Sequence, residues 1–228
     1  HHVSSLKLTI TIDSVKDTIH MSIVSYKISG KGVEMSLRYA LLAVLTVEPM
    51  TGYDLSKLFQ QSVAHVWNAP DSQIYPELRK MEAEGLLEGS DVPWGPRGRK
   101  RQYAISDEGR EAFRLWMNEP IGYFLERDPA HLKAAYLEWA EPENARVILN
   151  EHKAHFTALL QDWTSRLIEI NTLSNPLLVK RLEISSPKDH QKVVAFKRYT
   201  YEGLIARAEQ EILWADRGLE LLDSFETA

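Results

Sequence analysis

The stretch IYPELRKMEAEGLLEGSDVPWGPRGRKRQYAIS, residues Ile74 to Ser106, decides the fold. Its apolar residues Ile74, Leu78 and Met81 recur at steps of four and three, which predicts one buried face of a helix. Gly85 ends that helix as a residue suited to the left-handed C-terminal turn. Leu86–Gly89 then reads as a short strand and Gln102–Ile105 as its partner. Pro93, Gly95, Pro96 and Gly98 make the segment between them a turn-rich loop. Four cations, Arg97, Arg99, Lys100 and Arg101, crowd its tip.

Two further helices precede this unit. Leu37, Ala40, Leu41, Val44 and Leu45 define the apolar face of the first, and Glu48-Pro49 stops it. Thr51 is placed as an N-cap with Asp54 three residues on, opening a helix over about Gly52–Gln61. Ser106-Asp107 caps a fourth helix through Ala112, Phe113, Leu115 and Trp116. Three helices followed by a hairpin describe a winged helix-turn-helix, with the hairpin as the wing.

The third helix has two unlike sides. Opposite its apolar stripe lie Ser72, Pro76, Arg79 and Lys80, with Gln73 and Tyr75 on the flanks. A small, polar and basic helix face beside a basic hairpin is the pattern expected of a DNA-reading surface. On that reading Ser72, Gln73, Tyr75, Pro76, Arg79 and Lys80 approach bases and phosphates. Arg97, Arg99, Lys100 and Arg101 supply phosphate contacts. The plain alternative is a solvated helix face and a soluble hairpin tip.

The chain is acidic as a whole, with a formal net charge of -5 over 228 residues. The charge is unevenly placed. Residues 35–106 hold eight basic and eight acidic side chains, whereas residues 107–228 hold 15 basic and 21 acidic. Local placement of cations governs phosphate binding, so the acidic total does not exclude it. With no cysteine, disulfides, thiolate catalysis and Cys-ligated metal are excluded. No apolar run is long enough to span a membrane, and no secretory signal is evident. A cytoplasmic location is expected.

These residues resemble the PadR family of transcriptional regulators. The matching text is TGYDLSKLF, IYPELRKMEAEGLL and RGRKRQYAISDEGREAF. The resemblance is close over about Met35–Trp116. It implies a mainly α protein, with a winged helix-turn-helix and a small β-hairpin wing followed by an all-α C-terminal dimerisation domain. It also implies a homodimer on a palindromic double-stranded operator, and regulation by a small, often aromatic, effector.

The second half supports a helical domain. Ala145, Leu149, His152, Phe156, Leu159, Trp163, Leu167 and Ile170 form a long stripe at steps mostly of three and four. A final helix shows Ile205, Ala208, Ile212, Ala215, Leu219 and Leu222, assigned here to the dimer interface. Trp214 and Leu221 lie on a neighbouring face, so this helix is expected to have two burial partners. Residues 171–188 read as a short helix or packed loop. Trp116, Trp139, His152 and Trp163 are the candidates for an effector pocket, against the alternative of ordinary core packing.

The domains are therefore drawn as residues 1–34, 35–118 and 119–228. The first is an N-terminal extension with strand-like alternation at Leu6, Leu8, Ile10 and Ile12, read as a hairpin or as a tag remnant. Glu151, His152 and His155 do not have zinc-protease spacing, and no metal or cofactor is expected. No nucleotide loop or nucleophile elbow is present, so an enzyme is not expected. A protein-interaction scaffold that no longer binds DNA, or a helical metal protein or enzyme, are the competing readings.

Overall fold

The structure is a computed structural model that describes residues 37–59, 69–95, 98–121 and 127–226. The expectations for residues 1–34 and for Arg97 lie outside the described residues, as does the end of the second helix near Gln61. The first half comprises α1 (Leu37–Leu45), β1 (Met50–Thr51), α2 (Gly52–Leu58) and α3 (Asp71–Ala83). It continues with β2 (Leu87–Trp94), β3 (Gly98–Ile105) and α4 (Asp107–Trp116).

One apolar core joins these elements. Leu41, Leu42, Leu55, Ile74, Leu78 and Met81 are wholly buried in it, with Phe59, Tyr103 and Ile105 around them. The stripe read on α3 is the face that meets this core. Local chemistry fixes the helix ends. Thr51 accepts the Asp54 backbone N–H at 3.2 Å and donates its hydroxyl to the Asp54 carboxylate at 2.7 Å. Ser106 accepts from Gly109 N–H at 2.9 Å and donates to the Gly85 carbonyl at 2.7 Å, tying the start of α4 to the end of α3. Gly85 has φ of 78°, the left-handed conformation its position requires. Arg38 of α1 bridges Glu77 at 3.0 Å and Glu84 at 2.9 Å, binding α1 along α3.

The sheet departs from the expectation in two ways. It has three strands in the order β1-β3-β2, because Met50 and Thr51 pair with Tyr103 and Gln102. The wing strands are also longer than read, with pairing continuous from Leu87↔Ile105 to Trp94↔Gly98. Pro93 pairs with Arg99 near the end of β2, where a missing N–H does little harm at an edge. Arg99, Lys100 and Arg101 accordingly sit on strand β3, not in a loop.

The second half begins with α5 (Pro129–Ala134), which the sequence reading did not identify, and a 3-10 turn at Leu137–Trp139. Then come α6 (Pro142–Asn171), α7 (Pro176–Ile184) and α8 (His190–Glu226). The final helix starts well before the stripe that revealed it. At 1.5 Å per residue, its 37 residues extend about 55 Å.

Helices α6 and α8 run antiparallel. Arg146 pairs with Asp223 at 2.6 Å, Lys153 with Asp216 at 2.6 Å, and His152 with Glu211 at 3.1 Å. Between them Ala145, Leu149, Trp163, Ala208 and Ala215 are buried. This corrects the assignment of the α8 stripe to the dimer interface. Ala208 and Ala215 are 0% exposed within the single chain, and Ile205, Ile212, Leu219 and Leu222 are partly covered with them. The stripe belongs to the pairing with α6.

The opposite side of α8 is the uncovered one. Phe196, Tyr199, Leu213, Leu221 and Phe225 are exposed large apolar residues. At 100° per residue they fall within a sector of about 120°, facing away from Ala208 and Ala215. The two halves of the chain meet through α7, whose Leu177 packs against the winged core. Lys180 of α7 reaches Glu48 at 2.5 Å. Among the described residues no helix is long and apolar enough to cross a membrane.

Candidate nucleic-acid interface

Helix α3 presents its polar side to solvent. Ser72, Gln73, Pro76, Arg79 and Lys80 are all exposed, while Ile74 and Leu78 between them are 0% exposed. Ser56 of α2 donates to the Asp71 carboxylate, so the start of α3 is fixed by the helix before it. Pro76 withholds the N–H that the Ser72 carbonyl would otherwise accept, leaving an acceptor on the exposed side. Tyr75 is half-buried, its ring against Gly52. Burial, and then the nearby Asp71 carboxylate, push its phenol above the usual range, so it stays a protonated hydrogen-bond donor at neutral pH.

The wing adds cations in three different settings. Arg99 is exposed. Lys100 lies on the opposite face of β3, with its ammonium 2.9 Å from the centroid of the Trp94 ring and 4.3 Å from that of Tyr53. Trp94, for which the sequence reading had no role, is thus the shelf under this lysine. A π face attracts a cation without pairing it with an opposite charge. Arg101 differs from both. It pairs with Glu82 of α3 and, at 3.2 Å, with Asp91 of β2. Arg101, read from the sequence as a phosphate contact, thus has two carboxylates on its guanidinium.

The four residues expected to form an effector pocket do not come together. Trp116 stacks on Tyr39 at 4.8 Å with rings 8° apart, closing α4 onto α1. Trp139 is 86% exposed on the 3-10 turn, and Trp163 is buried between α6 and α8. Of the four, His152 lines a cavity. That cavity, of about 310 Å³, lies between α5, α6 and α8, with Ala130, Leu137, Ile148, Leu149 and Trp214 as apolar walls. Lys133, Glu151 and His155 supply polar groups to its lining. Trp214 is its main aromatic surface, touched by His152 at 5.0 Å and by His131 at 4.4 Å between ring centroids. The α8 periodicity had placed Trp214 beside the buried stripe, but nothing in the sequence linked it to His152, 62 residues away. Among the described residues no group of three or more His, Asp or Glu is placed to hold a metal ion.

This geometry can be set beside known proteins. The model of the transcriptional regulator PadR-like family matches residues 41–115, from α1 to the end of α4. The negative transcriptional regulator PadR of Bacillus subtilis (strain 168) is 25% identical over 189 residues, covering 82% of this chain and 97% of that protein. The structure of Bacillus subtilis PadR in complex with operator DNA superposes with a TM-score of 0.65 at 24% identity, over 82% of this chain and 98% of that one. The same protein in complex with p-coumaric acid gives a TM-score of 0.58 at 26% identity, again over 82% and 98%. The likeness therefore extends through the helical second half as well as the winged domain. Residues 41–115 thus match the PadR-like family of transcriptional regulators, and the chain as a whole is similar to a PadR regulator along nearly the full length of that protein.

Proposed function

We propose that the protein is a dimeric transcriptional repressor that binds a palindromic double-stranded operator and is released from it by a small effector. The observation that carries the reading is the division of α3. Ile74, Leu78 and Met81 are wholly buried, and Ser72, Gln73, Pro76, Arg79 and Lys80 stand exposed beside the wing. In that arrangement α3 enters a major groove and selects sequence, with Tyr75 donating from its flank. Arg97, Arg99 and Lys100 bind phosphates and fix the register. The Bacillus subtilis complexes with operator DNA and with p-coumaric acid support both halves of the proposal.

A palindrome needs two such helices about 34–36 Å apart. The exposed sector of α8 holding Phe196, Tyr199, Leu213, Leu221 and Phe225 provides the surface for the second copy. The cavity lined by His152 and Trp214 is the effector site, and α7 is the element through which its occupation reaches the winged domain. The protein acts in the cytoplasm and performs no catalysis.

A gel-shift series tests this, using DNA upstream of the protein's own gene and rising salt. Among the described residues, Arg79, Lys80, Arg99 and Lys100 from two subunits offer eight cations. If half of them engage phosphates, log K falls with log salt with a slope of about -3.6, at 0.9 per contact. Absence of any sequence-dependent shift would instead favour an interaction scaffold.

A further inference from the structure

Arg101 was expected among the phosphate contacts, yet its surroundings suit another task. Its strand partner Asp91 takes one side of the guanidinium at 3.2 Å. Glu82 takes the other side, from the last turns of α3. The side chain therefore spans two elements, the wing and the helix that faces DNA. Nearby, Gly89 of β2 leaves the path clear, since a Cβ there would collide with the Glu82 carboxylate and the Arg101 guanidinium. The phenol of Tyr103 is raised by burial first and then by Glu82, and it also senses Arg101, Arg79 and Tyr75. The bridge thus adjoins the residues that face the groove. Arg99 and Lys100 have no carboxylate partner among the described residues.

An exposed ion pair of this kind adds little to folding stability. Its physical consequences are orientation and charge. It fixes the angle between wing and helix, and it neutralises an acid that would otherwise repel DNA from the reading helix. We propose that Arg101 and Glu82 are a positioning pair that locks the wing to α3, so that Arg101 governs sequence selectivity without touching phosphate. The inference rests on the DNA-binding reading above and refines the role of one of its residues.

The test uses full-length protein and two duplexes. One is selected by the wild-type protein from a randomised pool, and the other is its scrambled counterpart. Failure of the wild-type protein to select any sequence would defeat the DNA-binding reading itself. Given selection, Arg101→Gln should leave the salt slope on the scrambled duplex unchanged. Preference for the selected duplex should fall about tenfold, the size of one mismatched base pair. Glu82→Ala should lose preference to the same degree, although it removes a negative charge. Thermal melting confirms that both variants remain folded. A slope flattened by about 1.8, from one lost contact on each of two subunits, would make Arg101 a phosphate contact and overturn the proposal. Retained preference in Glu82→Ala would overturn it too, since Arg101 would then be reading bases directly. Wild-type behaviour in both variants would reduce the bridge to an idle surface pair.

Discussion

The winged domain and the α6–α8 pair use apolar residues differently. In the first, the large side chains of α1, α2 and α3 converge on one core and six of them are fully buried. In the second, the buried contact is a narrow seam centred on Ala145, Leu149, Ala208 and Ala215, while Phe196, Tyr199 and Phe225 stay outside. One region completes its burial within the chain. The other leaves a second apolar face uncovered, the face proposed above for another copy. Stability and assembly should therefore respond to different substitutions.

The largest effect is expected at the uncovered face. Replacing Phe225 with Glu removes two phenyl rings from a dimer, at about 1.5–3 kcal/mol per buried side chain. Sedimentation velocity should show dissociation to monomers costing about 3–6 kcal/mol, with helical circular dichroism retained. A variant that stays dimeric would place the interface elsewhere. Next, Leu78→Ala should destabilise the winged core by about 2–5 kcal/mol in urea unfolding. Leu213→Ala, on the uncovered face, should leave unfolding of the isolated subunit nearly unchanged. Equal losses at the two positions would erase the contrast.

Smaller effects sharpen the picture within the winged domain. Thr51→Ala removes the α2 cap and should cost about 1 kcal/mol of stability. Trp94→Ala should take away a contact of about 0.5–1 kcal/mol under Lys100, seen as a two- to fivefold weaker affinity for any duplex. Trp94→Phe should recover most of it. If Trp94→Ala bound DNA as wild type does, the aromatic shelf would have no part in recognition.

Much of the winged domain was legible because its signals are local. The period changes from four-and-three to two at Gly85, and Thr51 and Ser106 mark helix starts without reference to distant residues. Strand β1 was not legible, since two residues become a strand only when β3 lies alongside. The length of the wing was hidden by Ser90, Asp91 and Pro93, whose turn character was overridden by pairing with Gln102, Arg101 and Arg99. In the second half the stripes were correct but their partner was not. Ala208 and Ala215 are small enough for either an internal or an external neighbour, and spacing alone does not distinguish the two. The effector candidates lie apart for a related reason. Trp116, Trp139 and Trp163 share a residue type, yet they stand on three different surfaces.

The clasp between α7 and the winged domain has a mechanical consequence. Its ion pair, Lys180 with Glu48, is partly exposed, with side-chain accessibilities of 50% and 35%. Such a pair yields under forces that would leave either core intact. Adjacent base pairs are separated by about 3.4 Å along the duplex. On the proposed function, a joint of this kind would let the two subunits meet operators whose half-sites differ by one such step, with the strain taken up at the joint.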